Sequence, residues 1–281
     1  MLARHRDAVS IHEFLTGLDW GRRFQPGPVL PEPVRDSAGV DRLRTEDPQQ
    51  RLSFVYDAIR ILRRELEGRA PLIGFAAAPF TLAVYLVEGG ASKNFDRIKE
   101  LLFGQPEVAH RLMEKIADAT TAHLLAQIDA GAQAVQLFDT WAGLLTPQDY
   151  VEFDLRYTRL ILDRLREAGA PRIYFALNSA HLFEEIRGCG ADVVGIDWRT
   201  PLDTASERLD HRYVLQGNLD PCALLAGPEA LERRTLEVLR TAAAAPGHIF
   251  NLGHGILPHT PVEQARKLVR LVQEYRRPEG P

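Results

Sequence analysis

The sequence of 281 residues lacks most features that mark secreted, membrane or nucleic-acid-binding proteins. Its two cysteines, Cys189 and Cys222, form no CxxC pair, so we expect neither a disulfide framework nor a cysteine zinc site. No apolar run approaches a membrane span in length, and the opening segment MLARHRDAVS lacks the apolar core of a signal peptide. The formal net charge of -4 disfavours nucleic acid or an anionic membrane as a partner. The composition therefore predicts a soluble protein of the cytoplasm.

Several catalytic motifs are missing as well. The chain has no GxSxG turn for a hydrolase nucleophile and no HExxH or paired His and Cys spacing for a metal. It also has no phosphate-binding loop of the GxGxxG or GxxxxGK[ST] type. We therefore expect no resident metal and no evident cofactor. What remains is acid–base chemistry or binding by side chains.

Short apolar segments alternate with long amphipathic stretches from Pro71 onward. Segments that are apolar nearly throughout predict strands that are covered on both faces. The predicted strands are residues 71–76, 134–139, 172–177, 192–197, 213–218 and 248–253. Strands that alternate with helices form a parallel sheet, which is either open and doubly wound or closed into a barrel. Polar residues at the ends of many different strands favour the barrel.

We therefore predict an α/β fold of the (β/α)8 TIM-barrel type, in one domain over residues 1–281. A complete barrel needs eight strands, and six are clear in this sequence. Residues 1–40 offer only a poor strand, AVSIHEFL, and a proline-broken loop. The barrel is therefore expected to be incomplete at its N-terminal side.

The amphipathic stretches predict helices, together with their buried faces and their ends. One helix is predicted after Asp47, with an apolar stripe on its buried face. The stripe comprises Leu52, Val55, Ile59, Leu62 and Leu66. Asp47 and Thr146, each before a proline, predict N-caps, and Thr260 followed by Glu263 predicts a capping box.

Polar residues that follow the first two strands are candidate functional groups. Tyr85 is either a phenol that contacts a substrate or a packed tyrosine with its hydroxyl at the surface. The run Asp139-Thr140-Trp141 places a carboxylate, a hydroxyl and a large ring at one strand end, which suits ligand binding. Asp139 could equally cap the helix that follows.

His254 is the residue whose surroundings favour a functional role most strongly. It stands between Gly253 and Gly255, directly after the last predicted strand, where neither a helix nor a core requires a histidine. The glycines permit unusual dihedral angles and close approach, so the imidazole can face a cleft.

Five segments resemble, in order, signature blocks of the uroporphyrinogen decarboxylase family. They are PLIGFAAAPFTLAVYLVEGGASKNF, AGAQAVQLFDTWAGLLTP, GADVVGIDWRTPL, LQGNLDPCALLA and NLGHGILPHTP. The resemblance covers residues 27–281, whereas residues 1–26 diverge. It implies a distorted (β/α)8 barrel, usually a homodimer, with a deep cleft at the carboxyl ends of the strands.

The resemblance also implies a reaction and three site residues. The reaction is the stepwise decarboxylation of the acetate side chains of uroporphyrinogen to coproporphyrinogen, in porphyrin and heme biosynthesis, without metal or organic cofactor. Tyr85 matches the cleft tyrosine of the family, and His254 matches its cleft histidine; both are expected to bind substrate and to take part in catalysis. Thr140 stands where the family has a Ser or Thr that contacts the substrate.

Two blocks of the family pattern are not found in this sequence. One is an arginine-rich RQAGRYLPEYR-type block that binds substrate carboxylates, and the other is a strand ending in FSD, whose aspartate stabilises the positive charge of the intermediate. Asp7 and Asp19 stand in no matching motif, so the role passes to neither. The expectation is an N-terminally shortened decarboxylase.

Two alternatives remain beside this decarboxylase. The first is a catalytically impaired family member that binds tetrapyrrole or a protein partner without turnover. The second is a relative that transfers methyl groups to thiols through zinc-bound thiolate. That chemistry needs a His-x-Cys motif, whereas His181 is followed by Leu182 and Phe183.

Overall fold

The computed structural model describes residues 30–45, 48–90 and 92–276. Segment 1–26, which was expected to diverge, and the predicted N-cap Asp47 lie outside this part. Within it, six parallel strands form one sheet in chain order. The strands are β1 Ile73–Ala77, β2 Ala134–Asp139, β3 Arg172–Ala176, β4 Val193–Gly195, β5 Val214–Leu219 and β6 His248–Leu252. The six predicted strands are confirmed, each end within two residues of its predicted place.

Helices connect the strands, as the alternation predicts. They are α1 Ser37–Arg42, α2 Pro48–Arg51, α3 Ser53–Glu65, α4 Pro79–Glu88, α5 Asp96–Gly104, α6 Pro106–Asp129, α7 Pro147–Tyr150, α8 Arg156–Arg164, α9 Phe183–Ile186, α10 Leu202–Arg208, α11 Pro228–Thr241 and α12 Val262–Glu274. A π-helical turn, Val151–Leu155, joins α7 to α8. In residues 30–45, 48–90 and 92–276, no helix combines the length and the apolar character of a membrane-spanning segment.

The sheet is strongly curved. Gln216 of β5 donates a hydrogen bond through Nε2 to Oε1 of Gln136 on β2, at 2.9 Å. In a flat sheet these two strands would lie about 14 Å apart, because neighbouring strands are spaced by about 4.8 Å. The side chains on the inner face therefore converge, as in the wall of a barrel. Among the described strands β1 and β6 are the edges, and no ladder joins them.

Helix α4 is almost entirely enclosed between the sheet and other helices. Eight of its ten residues are buried. A helix that is apolar all round is stable only in such a position. Tyr85 and Glu88 are its two half-buried residues, so the packing of this helix directs Tyr85 toward its one partly open side.

The helix predicted after Asp47 is found as two helices, α2 and α3, which are interrupted at Leu52, and its predicted stripe is partly wrong. Leu62 is 47% exposed, whereas Tyr56, which the stripe omitted, is buried. Tyr56 turns inward because its hydroxyl makes a hydrogen bond of 2.9 Å with Nδ1 of His123 on α6. The buried face of the helix is therefore rotated away from Leu62.

The two described helix-cap predictions had different outcomes. Thr146 caps α7 as predicted, since its hydroxyl accepts a hydrogen bond from the backbone N–H of Asp149 at 3.2 Å. The capping box at Thr260 is wrong, because α12 begins one residue later and Pro261 stands at its N-cap. Glu263 pairs instead with Arg266, at 2.7 Å.

Candidate active site

The three predicted site residues all follow the carboxyl ends of strands. Tyr85 lies on α4, directly after β1, Thr140 follows β2, and His254 follows β6. In a parallel sheet these ends share one edge, which is where barrel enzymes carry their active sites.

Tyr85 packs against the turn that carries Thr140. Its ring lies edge-on to that of Trp141, with the ring centroids 4.6 Å apart. Phe95 contacts the same indole at 5.7 Å. Burial raises the pKa of Tyr85 above 10.0, so the phenol keeps its proton at neutral pH and can donate a hydrogen bond.

Thr140 is held by a short chain of hydrogen bonds. Its backbone N–H donates to Oγ1 of Thr81 on α4 at 2.9 Å, and the Thr81 hydroxyl donates to Oδ1 of Asp139 at 2.7 Å. Asp139 also accepts from the backbone N–H of Ala142 at 3.1 Å. Asp139 is not the N-cap of the helical turn that follows, Ala142–Leu144, because Trp141 stands there. Its carboxyl group is fully buried beneath the turn, and it shapes the loop that presents Thr140.

His254 lies at the inner face of the curved sheet. It lines a small interior cavity together with residues of β6 and of four other strands or their ends, namely Gln136, Phe175, Ile196, Gln216, Asn251 and Leu252. Its ring lies edge-on to Trp198, with centroids 6.2 Å apart. Gly253 permits this approach, because a Cβ there would stand 2.4 Å from the backbone nitrogen of Trp198.

An arginine at the same edge was given no role from the sequence. Arg199 follows β4, and its guanidinium lies 4.0 Å from the centroid of the Trp198 ring. It is paired with the buried Asp197 at 3.1 Å, while 44% of its own side chain remains exposed. The stacking and the ion pair fix a positive charge beside the loop that contacts His254. The sequence indicates this arginine by its position, two residues after Asp197 at the end of a predicted strand.

The structure links two of the predicted residues through one helix. Thr81 and Tyr85 both lie on α4, and Thr81 holds Thr140. His254 stands at the other edge strand, and it shares its cavity with Gln136 of β2, the strand that Thr140 follows. The functional roles of Tyr85, Thr140 and His254 stay predictions. In the described ranges, no three His, Cys, Asp or Glu side chains are arranged to hold a metal ion.

A curved parallel sheet with polar groups at its carboxyl edge defines an enzyme of the TIM-barrel type. The fold resembles a methyltransferase from Methanosarcina mazei, with a TM-score of 0.70 and 20% identity over 88% of this chain and 70% of that one. It also resembles a B12-independent methionine synthase from Shewanella sp. W3-18-1, with a TM-score of 0.54 and 10% identity over 77% of this chain and 64% of that one. At such identities the likeness concerns the fold alone.

Sequence relatives narrow this class to one family. The chain belongs to the uroporphyrinogen decarboxylase (URO-D) family, whose model matches residues 16–275. It is 48% identical to the uroporphyrinogen decarboxylase of Carboxydothermus hydrogenoformans, over 92% of this chain and 75% of that protein. It is 49% identical to that of Sorangium cellulosum, over 89% of this chain and 72% of that protein.

Proposed function

We propose that this chain is a uroporphyrinogen decarboxylase, a carboxy-lyase of porphyrin and heme biosynthesis. It removes the acetate carboxyl groups of uroporphyrinogen one by one and leaves the methyl groups of coproporphyrinogen. The observation that carries the proposal is the identity of 48% over 92% of the chain with a relative of that name. The matched span includes the ends of all the described strands.

The chemistry needs a proton donor and a sheltered place for positive charge. A proton added to a pyrrole ring carbon makes the ring an electron sink, so the carbon–carboxyl bond can break and carbon dioxide can leave. The new methylene carbon then takes up a proton, the ring loses the first one, and a methyl group results. Partly buried donors serve such steps best, because electrostatic interactions are stronger where water is excluded.

We propose that three residues bind the substrate and deliver protons to it. Tyr85, protonated at neutral pH because burial raises its pKa, donates a hydrogen bond to the substrate during catalysis. His254 meets substrate carboxylates at the inner face and takes part in proton delivery, and Thr140 binds the substrate through its hydroxyl. The packing of Tyr85 on Trp141 and the fixed backbone of Thr140 support this assignment, because both groups are held before substrate arrives.

Arg199 is proposed as a contact for a substrate carboxylate. The substrate is a polyanion, and the formal net charge of the chain is -4, so binding requires local positive charge. Arg199 provides it at the edge where His254 lies, and its plane is fixed on Trp198 at 4.0 Å. A guanidinium held in this way can bind a carboxylate by donating two parallel hydrogen bonds to it.

We further propose a homodimer in the cytoplasm and one domain over residues 1–281. The dimer and the location are supported by the family resemblance alone. The single domain is supported by the one continuous sheet of the described residues. Analytical ultracentrifugation of the purified chain tests the dimer, and a sedimenting monomer at micromolar concentration would contradict it.

The test of the function is turnover without oxygen. The purified chain is incubated anaerobically with uroporphyrinogen, and the oxidised porphyrins are separated by carboxylate number. We expect partly and fully decarboxylated products in wild type and little product in Tyr85→Phe or His254→Ala. Tyr213→Phe, at the amino end of β5, and the exposed His259→Ala serve as matched controls. Binding of porphyrinogen without any product would contradict the proposal and favour the impaired family member.

A further inference from the structure

Two carboxyl groups meet in the interior beneath the candidate site. Asp139 ends β2, and Asp154 lies in the π-helical turn Val151–Leu155; both are fully buried. The two side chains are within hydrogen-bonding reach of each other. Their Oδ2 atoms are buried and find no other partner among the described residues. We call Asp139 and Asp154 the buried acid pair.

The Oδ1 atom of each aspartate in the pair accepts at least one hydrogen bond. Asp139 Oδ1 accepts from Thr81 and from the backbone of Ala142. Asp154 Oδ1 accepts from the Thr158 hydroxyl at 3.1 Å, and the backbone N–H of Phe80 lies near the same carboxyl group. The two Oδ2 atoms are thus the places that lack a proton donor. A single proton between them satisfies both, whereas two facing carboxylates would repel each other in a dry interior.

Among the described residues, no cationic group is found beside the pair that could balance the charge of a second carboxylate. Burial, and next the carboxyl group of Asp139, raise the pKa of Asp154 well above 3.8. The titratable groups packed beside the pair are Tyr150 and Tyr174, joined by a hydrogen bond of 3.0 Å, and Cys189. Burial raises the pKa of both phenols, and it raises the pKa of Cys189 to about 11, so all three are neutral at physiological pH.

The pair is attached to two of the three segments that carry predicted site residues, namely α4 and the turn after β2. Phe80 and Thr81 lie in the first turn of α4, whose N-cap, Ala78, has no side-chain acceptor. The pair lies beside this helix N-terminus, where its one remaining negative charge is favourable. Through Thr81 and Ala142 it also fixes the turn around Thr140. Single π-helical turns occur often at functional sites, and here such a turn contributes Asp154.

We propose that Asp139 and Asp154 share one proton, with Asp154 as the donor, and that this pair positions Tyr85 and Thr140 for the reaction. Asp154 and Asp139 are positioning residues, since they act through α4 and through the turn after β2. The protonation is argued from the two buried Oδ2 atoms that lack a donor, whereas the kinetic consequence rests on the proposed function.

Infrared spectroscopy tests the proton directly. The purified full chain is compared with Asp154→Asn, and with Asp163→Asn as a matched control, because Asp163 is an exposed carboxylate on α8. We expect a carbonyl-stretch band of a protonated carboxylic acid at neutral pH in wild type and in Asp163→Asn, and its loss in Asp154→Asn. Absence of the band from wild type, or its persistence in Asp154→Asn, would overturn the proposal.

Kinetics test the positioning role. In Asp154→Asn the amide can donate to Asp139 at any pH, so we expect kcat within about threefold of wild type. Asp154→Val removes the donor, and we expect kcat to fall about tenfold to a hundredfold with little change in KM, since a small misplacement of reacting groups has such effects. Equal losses in both variants, or none in either, would contradict the positioning role.

The two proposals fail in distinguishable ways. If wild type gives no decarboxylated product, the proposed function fails, and the infrared bands still decide the protonation. Near-UV circular dichroism of the packed aromatic groups then takes the place of kcat, with Asp154→Asn expected to match wild type and Asp154→Val expected to differ. If Asp154→Val does not fold, the comparison of wild type, Asp154→Asn and Asp163→Asn carries the test.

Discussion

The buried acid pair makes the stability of the fold depend on pH in an unusual direction. The pKa of Asp154 is raised in the folded chain, whereas in the unfolded chain it returns to about 3.8. Above pH 3.8 the folded state therefore holds a proton that the unfolded state has lost. Stability from this group is complete below that pH and is lost as pH rises through the folded pKa.

The expected size follows from this proton. Because this proton is bound only by the folded state, the free energy of unfolding falls by about 1.4 kcal/mol for each unit by which the pH rises. His123 and His248 act in the opposite direction at lower pH, because burial lowers the pKa of His123 from 6.5 to about 4 and also lowers that of His248 below 6.5. The window above pH 6.5 therefore isolates Asp154. From pH 6.5 to 8.0 the expected loss is about 2 kcal/mol, provided that pH stays below the folded pKa.

Urea unfolding at equilibrium, followed by circular dichroism, measures this dependence. The side chain of residue 154 cannot titrate in Asp154→Asn. Above pH 6.5 the free energy of unfolding of this variant should therefore rise relative to that of wild type by about 1.4 kcal/mol for each pH unit. The exposed variant Asp163→Asn should follow wild type. Parallel curves for wild type and Asp154→Asn would refute a shared proton.

Further predictions concern the acid limb and the candidate site. Between pH 6.5 and 4 the unfolded state alone protonates His123, which removes up to about 3.4 kcal/mol as pH falls and offsets the gain from Asp154; the free energy of unfolding of His123→Gln should therefore rise relative to that of wild type by up to about 3.4 kcal/mol over this range in urea unfolding, and a constant difference would contradict the assignment. Arg199→Gln should raise KM for uroporphyrinogen about tenfold with kcat nearly unchanged, if the arginine binds a carboxylate; steady-state kinetics with an unaltered KM would exclude that contact. Gly253→Ala should cost about 1–3 kcal/mol in urea unfolding because its Cβ meets the Trp198 backbone, whereas Gly90→Ala, with open space around it, should be neutral; equal effects would show that the close approach is not needed.

The strands could be predicted from sequence because each is buried on both faces. A strand such as residues 134–139 is apolar nearly throughout, and turn residues bound it, so both its type and its limits are visible in the chain. The cap at Thr146 could be predicted for a similar reason, since its partner is only three residues away. Signals that lie within a few neighbouring residues are the ones that a sequence reveals.

Other features depend on contacts between distant elements. Tyr56 replaces Leu62 on the buried face because of His123, which is 67 residues away in the chain. Asp154 looks like a surface acid of an amphipathic helix, and nothing in its local pattern shows that a π-helical turn faces it toward Asp139. The contact of Gln136 with Gln216 likewise depends on the curvature of the whole sheet. The positions of Tyr85, Thr140 and His254 were predictable as strand ends, whereas their supporting network was not.

Release of labelled carbon dioxide tests the central claim most directly. The purified chain is given uroporphyrinogen with an isotopic label in the acetate carboxyl carbons, without oxygen, and the released gas is collected. The account predicts labelled carbon dioxide from wild type, none when the label is in the propionate carboxyl carbons, and little from His254→Ala. A wild-type chain that binds the porphyrinogen yet releases no label would contradict it.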